Sequence, residues 1–179
     1  MKKVLVMAGS NSSRSINKKF AIYASSFLEN ANTEIIDLND YEMPVYSMDR
    51  EENDGIPEEA KRFSSLVKSV DAIIISFAEH NGSYTAVFKN ILDWVSRFDD
   101  KAWSDKPMLL LATSPGPRGG ASVLETAKAS FPYFGAKIVG DFSLPSFYEH
   151  FSEENTINNS QIRQSVMELV SEFSTAIQQ

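Results

Sequence analysis

Three short polar stretches carry the residues able to do chemistry in this chain. The first runs Gly9-Ser10-Asn11-Ser12-Ser13-Arg14-Ser15-Ile16-Asn17, with hydroxyls, amides and a guanidinium where an apolar run gives way to a helical pattern. Free backbone N–H groups and the positive end of the helix dipole favour an anion at such a place. Ser10, Ser12, Ser15 and Asn17 add hydrogen bonds, and Arg14 adds a charged fork. Phosphate is the natural guest. No Gly-Lys-Ser/Thr follows Gly9, and the three spaced glycines of a dinucleotide fingerprint are missing, so neither of those phosphate loops applies. A plainer reading makes Ser13 or Ser15 simply the cap of the helix.

The second stretch, Glu79-His80-Asn81-Gly82-Ser83, mixes donors and acceptors that suit the edge of a heteroaromatic ring, and Gly82 permits close backbone approach. Asn81-Gly82 is equally a turn signal. A lone His80 is more often structural than catalytic, and Glu79 has no carboxylate partner in this loop to suggest acid–base work. The third stretch holds Ser114, Gly116 and Gly119 within Ser-Pro-Gly-Pro-Arg-Gly-Gly. It could close over a ligand with its backbone amides or serve as a tight connection.

Each stretch follows an apolar run that reads as a buried strand: Val4–Met7, Ile73–Ile75 and Met108–Ala112. Continuous runs of this kind suit strands covered on both faces of a parallel sheet. Thr33–Leu38 and Lys137–Val139, the latter extending toward Phe142, supply two more. Between them lie stripes at three- and four-residue spacing: Ile16 to Ala31, Phe63 to Val70, Val87 to Val95, Val123 to Phe131 and Ile162 to Ile177. Pro57 suits the first turn of the second of these helices. Tyr41 to Ile56, with Pro44, Gly55 and several acids, reads as a long loop. Five strands alternating with five helices predict a parallel sheet with helices on both faces. The pattern leaves strand order open; 2-1-3-4-5 is a known solution that brings the loops after strands one, three and four to one edge.

The 179 residues suffice for a single domain spanning 1–179 with a proper core. A net charge of −7 opposes nucleic-acid backbones and anionic membranes. The absence of cysteine removes disulfides, thiolate nucleophiles and zinc–thiolate clusters. The apolar run after Met1-Lys2-Lys3 stops at Gly9, too short for an export signal, and no window approaches the ~20 apolar residues of a membrane span. A soluble, unprocessed, cytoplasmic protein without metal ligands is the expectation.

Taken together, Gly9-Ser10 through Asn17, Glu79-X-Asn81-Gly82-Ser83, Lys89-Asn90-X-X-Asp93-Trp94 and the glycine-rich Ser114–Gly120 resemble the NADPH-dependent FMN reductase family, over about residues 3 to 145. The resemblance implies a flavodoxin-like three-layer α/β sandwich with a five-stranded parallel sheet of order 2-1-3-4-5. It implies FMN as cofactor, NADPH or NADH as co-substrate, and a small-molecule electron acceptor such as a flavin, quinone or azo compound. It also implies a homodimer or homotetramer. Ser10, Ser15 and Asn17 match the phosphate positions. Glu79, Asn81 and Gly82, with His80 in place of the family's tyrosine, match the loop along the isoalloxazine ring. Ser114, Gly116 and Gly119 match the loop at the ring's other edge. The family arginine falls where Ser12 stands, which makes Arg14 the replacement phosphate partner. Ala78 and Thr85 stand where proline is usual. No side chain need act as acid or base, because the flavin carries the redox chemistry. The rival reading is an FMN electron carrier without hydride chemistry of its own.

Overall fold

In the computed structural model, which describes residues 1–179, parallel strands β1 (Lys2–Gly9), β2 (Ala31–Ile35), β3 (Ala72–Phe77), β4 (Pro107–Thr113) and β5 (Lys137–Leu144) form one sheet. Their order is β2-β1-β3-β4-β5. Side chains alternate across it, as a two-residue period requires. Leu5, Met7, Ile73, Ile75 and Leu110 pack under α3 (Glu58–Ser69), α4 (Ala86–Val95) and α5 (Ala121–Ser130). Val4, Val6, Ile74, Leu109 and Leu111 pack under α1 (Ile16–Ser25) and α7 (Ser160–Gln178). The three central strands are therefore apolar on both faces. Each fully buried Leu or Ile contributes about 1.5–3 kcal/mol relative to exposure.

The register decides where the loops open. Gly9 pairs with Phe77, Phe77 with Ala112, and Thr113 with Leu144, so the carboxyl ends of β1, β3, β4 and β5 lie side by side. All three polar stretches leave the sheet at that edge.

The structure corrects several predicted boundaries. The first helix ends at Ser25, and Ala31 already belongs to β2, whose last residue is Ile35. Leu38–Tyr41 forms a 3-10 turn capped by Asp37. The predicted long loop contains α2 (Met48–Asp54), capped by Ser47 and without a single buried residue, so no apolar stripe announced it. Pro57 is the N-cap residue of α3 and precedes its first turn. The fourth predicted helix stops at Ser130 and tightens into a 3-10 turn over Phe131–Phe134, where Pro132 removes an N–H. β5 continues to Leu144, and a one-turn helix, α6 (Phe147–His150), follows it.

Candidate active site

The first loop is shaped by its own hydroxyls. Ser10 Oγ accepts from Ser12 N at 3.2 Å, and Ser12 Oγ accepts from Arg14 N at 3.3 Å. Ser15 is the N-cap of α1, its Oγ accepting from Lys18 N at 3.1 Å. The N–H groups of Ile16 and Asn17, in the same first turn, find no acceptor in the chain. Two neighbours brace the loop. Thr85 Oγ1 donates to Gly9 O at 2.9 Å while capping α4, and Asn39 Nδ2 donates to Asn11 O at 3.0 Å. Thr85 therefore does work that a proline there could not, since it supplies the hydroxyl. Behind the loop, Lys18 Nζ sits 2.6 Å from Asp37 and holds that carboxyl below the usual carboxylate range.

Asn17 is 2% exposed and joins three elements. Its Oδ1 accepts from Ser76 Oγ at 2.7 Å and from Thr113 N at 3.0 Å, and its Nδ2 donates to Thr113 O at 3.1 Å. The side chain is thus a strut between α1 and the ends of β3 and β4. Asn17 also lines the cleft, so the phosphate contact expected of it would be made beside these three bonds.

In the second loop, His80 and Ser83 exchange backbone hydrogen bonds of 3.0 and 3.1 Å across Asn81 (φ 53°) and Gly82 (φ 77°). Two successive positive φ values make the tight type I′ hairpin favoured by Asn-Gly. The turn projects Asn81 and Gly82 outward, with nothing within 4 Å of a Cβ built on Gly82. Glu79 has a partner that its sequence neighbours do not disclose: its Oε2 accepts from Val123 N at 3.0 Å, in the first turn of α5. The N-cap of that helix is Gly120, which has no side chain to offer.

The third loop is latched to the chain beyond β5. Gly116 O accepts from Ser146 N at 2.9 Å, and Ser114 O accepts from Phe147 N at 3.0 Å. Gly119 has φ 60°, and a Cβ there would lie 2.9 Å from Leu144 C and O, so the glycine is required by packing against β5.

These elements enclose a cleft of about 220 Å³. Ser10, Ser12, Arg14, Ser15, Asn17, Glu79, His80 and Ser114 line it. Asn81, Gly82, Gly116 and Gly119 do not: Asn81 and Gly82 form the exposed tip of their turn, and Gly116 and Gly119 tie the third loop to the chain at and beyond the end of β5. The lining also includes Ile16, Ala78, Thr113, Pro115 and Tyr148. The first four adjoin residues already singled out. Tyr148 comes from α6, about thirty residues beyond the third loop, and no polar motif marks it.

The donor set suits a phosphate ester. Arg14 has no carboxylate within salt-bridge reach, and the sole acid of the cleft, Glu79, already receives a backbone N–H. No group of three or more His, Cys, Asp or Glu side chains is placed to hold a metal, and no helix is long and apolar enough to cross a membrane.

The family model of NADPH-dependent FMN reductases matches residues 2–149. The chain belongs to this family. It is accordingly a flavin-dependent oxidoreductase that takes electrons from a reduced nicotinamide nucleotide. A quinone reductase of Pseudomonas putida is 32% identical to it over 132 residues, covering 73% of this chain and 69% of that protein. A 2-hydroxy-1,4-benzoquinone reductase of a Burkholderia species is 33% identical over 121 residues, covering 66% and 64%. Among solved structures, FerB, a flavoenzyme NAD(P)H:(acceptor) oxidoreductase from Paracoccus denitrificans, matches with a TM-score of 0.83 over 99% of this chain and 98% of that one, at 24% identity. The chain thus shares the flavodoxin-like fold of that neighbour.

Proposed function

We propose that this protein passes hydride equivalents from NAD(P)H, through FMN held in the cleft, to a quinone or a similar small acceptor. The observation that carries the reading is the convergence of an unpaired Arg14, two unpartnered N–H groups at the start of α1, and the loops after β3 and β4 around one cleft. Arg14, Ser10, Ser12 and the amides of Ile16 and Asn17 would hold the phosphate, by charge-assisted and helix-terminal hydrogen bonds. Ser15 and Asn17 set the position of α1. Ala78, Glu79 and His80 on one side, and Ser114 and Pro115 on the other, would orient the ring. Bound there, FMN supplies the hydride-accepting and hydride-donating centre. With the flavin carrying the redox chemistry, no side chain of the chain need act as acid or base. The chain's work is to hold the cofactor still and to present one carboxylate and one imidazole beside it. The quinone assignment draws support from the two quinone-reducing relatives. Action within the cytoplasm, as one domain assembled into a homodimer or homotetramer, completes the reading.

The test is the visible spectrum of the protein reconstituted with FMN and desalted, before and after anaerobic NADPH or NADH. Retained flavin bands that bleach with either donor, and return with added benzoquinone, are expected. Bands that stay oxidised with both donors would make the protein an FMN electron carrier. An absence of FMN binding in titration would remove the cleft as a flavin site.

A further inference from the structure

Most residues lining the cleft are polar, and its one six-membered aromatic ring, beside the smaller imidazole of His80, comes from outside the three loops. No Phe, Trp or other Tyr lines it beside Tyr148. Tyr148 is 71% exposed, although its neighbour Phe147 is only 3% exposed and stacks on Phe151 with centroids 4.6 Å apart.

The backbone that carries this ring is fixed. The two latches to the third loop, Ser146 N to Gly116 O and Phe147 N to Ser114 O, fasten the start of α6 to the edge of the cleft. Ser146 adopts φ 45° and ψ 56°, a left-handed conformation that costs a non-glycine residue about 1–2 kcal/mol. The chain thus turns sharply from β5 into α6 there. Phe147 meets Tyr148 edge to face at 5.5 Å and 87°. A buried ring steadies the tyrosine, and most of its surface stays open.

We propose that Tyr148 is an FMN-contacting residue, whose ring packs against the cofactor in the cleft and covers it on the side of α6. The proposal rests on the reading of the cleft as the FMN site. A planar heteroaromatic gains from an aromatic partner through buried area and offset or edge-on electrostatics. The phosphate loop offers hydrogen bonds and one guanidinium, and the second and third loops offer no ring larger than the imidazole of His80. Tyr148 supplies what they lack, from a segment that the loop motifs do not include.

The experiment is fluorescence titration of apoprotein with FMN for wild type, Tyr148→Phe and Tyr148→Ala, with thermal melts of each apoprotein. Tyr148→Phe should bind FMN within about twofold of wild type. Tyr148→Ala should bind roughly tenfold more weakly, the loss typical of a removed aromatic stack, and change the fluorescence yield of the bound flavin. Its apoprotein should melt with wild type, because the side chain is mostly exposed. Wild-type affinity and unchanged flavin fluorescence in Tyr148→Ala would overturn the proposal. So would an equal loss in Tyr148→Phe, which would place the contact on the hydroxyl. Failure of wild type itself to bind FMN would instead remove the flavin site on which the proposal stands.

Discussion

Glu79 Oε2 lies 3.0 Å from Val123 N, so a carboxylate from the loop after β3 caps the first turn of α5, the helix that follows the third loop. The contact couples the second and third loops of the cleft through one side chain. A carboxylate at a helix amino terminus is favoured by the free N–H groups and by the dipole. Glu79→Ala should destabilise the protein by about 1 kcal/mol. That corresponds to a fall in Tm of about 3 °C for a chain of this size. Amide exchange at the start of α5 should quicken before exchange elsewhere, as hydrogen–deuterium exchange would read. An unaltered exchange pattern would separate Glu79 from α5.

Asn17 should matter to folding more than to binding. Asn17→Ala strips partners from Ser76 Oγ and from both backbone groups of Thr113, all within the buried strut. With about 1–3 kcal/mol per buried polar group left unmet, a total near 3 kcal/mol is expected. Urea unfolding should show a lower midpoint with an unchanged slope. A variant with normal stability but poor FMN affinity would return Asn17 to the phosphate.

Arg14 should behave in the opposite way. Its guanidinium has no carboxylate partner in the fold, so Arg14→Ala should leave Tm within about 1 °C. The affinity for FMN should fall by about tenfold or more, as befits a charge-assisted contact, while riboflavin, which lacks the phosphate, binds as before. Equal losses for the two ligands would move Arg14 off the phosphate.

Acid should weaken a different joint. Asp99 is half of a link from the end of α4 to α3, receiving Lys68 Nζ at 2.8 Å and Ser64 Oγ at 2.9 Å. Burial raises its pKa, but the bonds to Lys68 and Ser64 outweigh that and hold it below the usual aspartate range. A depressed folded pKa means that the unfolded chain takes up the proton first. The stability from Asp99 is therefore complete well above pH 3.8 and is lost as pH falls through the folded value. Asp99→Asn should be less stable than wild type at pH 7, and the gap should narrow below about pH 4, by denaturant titration at each pH. A gap independent of pH would exclude ionisation of Asp99 as its source.

Much of this molecule was legible in its residues. Val4–Met7, Ile73–Ile75 and Met108–Ala112 are apolar at every position, a pattern that suits a doubly covered parallel strand, and the structure buries each of them fully or nearly so. Each helical stripe also marked a helix, although the first ran on past Ser25 as far as Ala31 of β2. Elements without an apolar signature were invisible: α2 buries nothing, and α6 spans a single turn. Strand order was equally beyond local pattern, because it depends on which edges pair.

For the site, residue type and spacing by themselves determined which loops are polar, that the first suits an anion, and that Asn81-Gly82 turns. Those are local properties, set by hydroxyl spacing, helix polarity and backbone sterics. Only the tertiary structure decided which atoms remain free. It joined Asn17 to Ser76 and Thr113, gave Glu79 to Val123, and packed Gly119 against Leu144. It also brought Tyr148 to the cleft from beyond β5. The physical reason is that hydrogen-bond capacity is finite and contacts are non-local: a side chain's type tells what it can bind, and the fold tells what has already bound it.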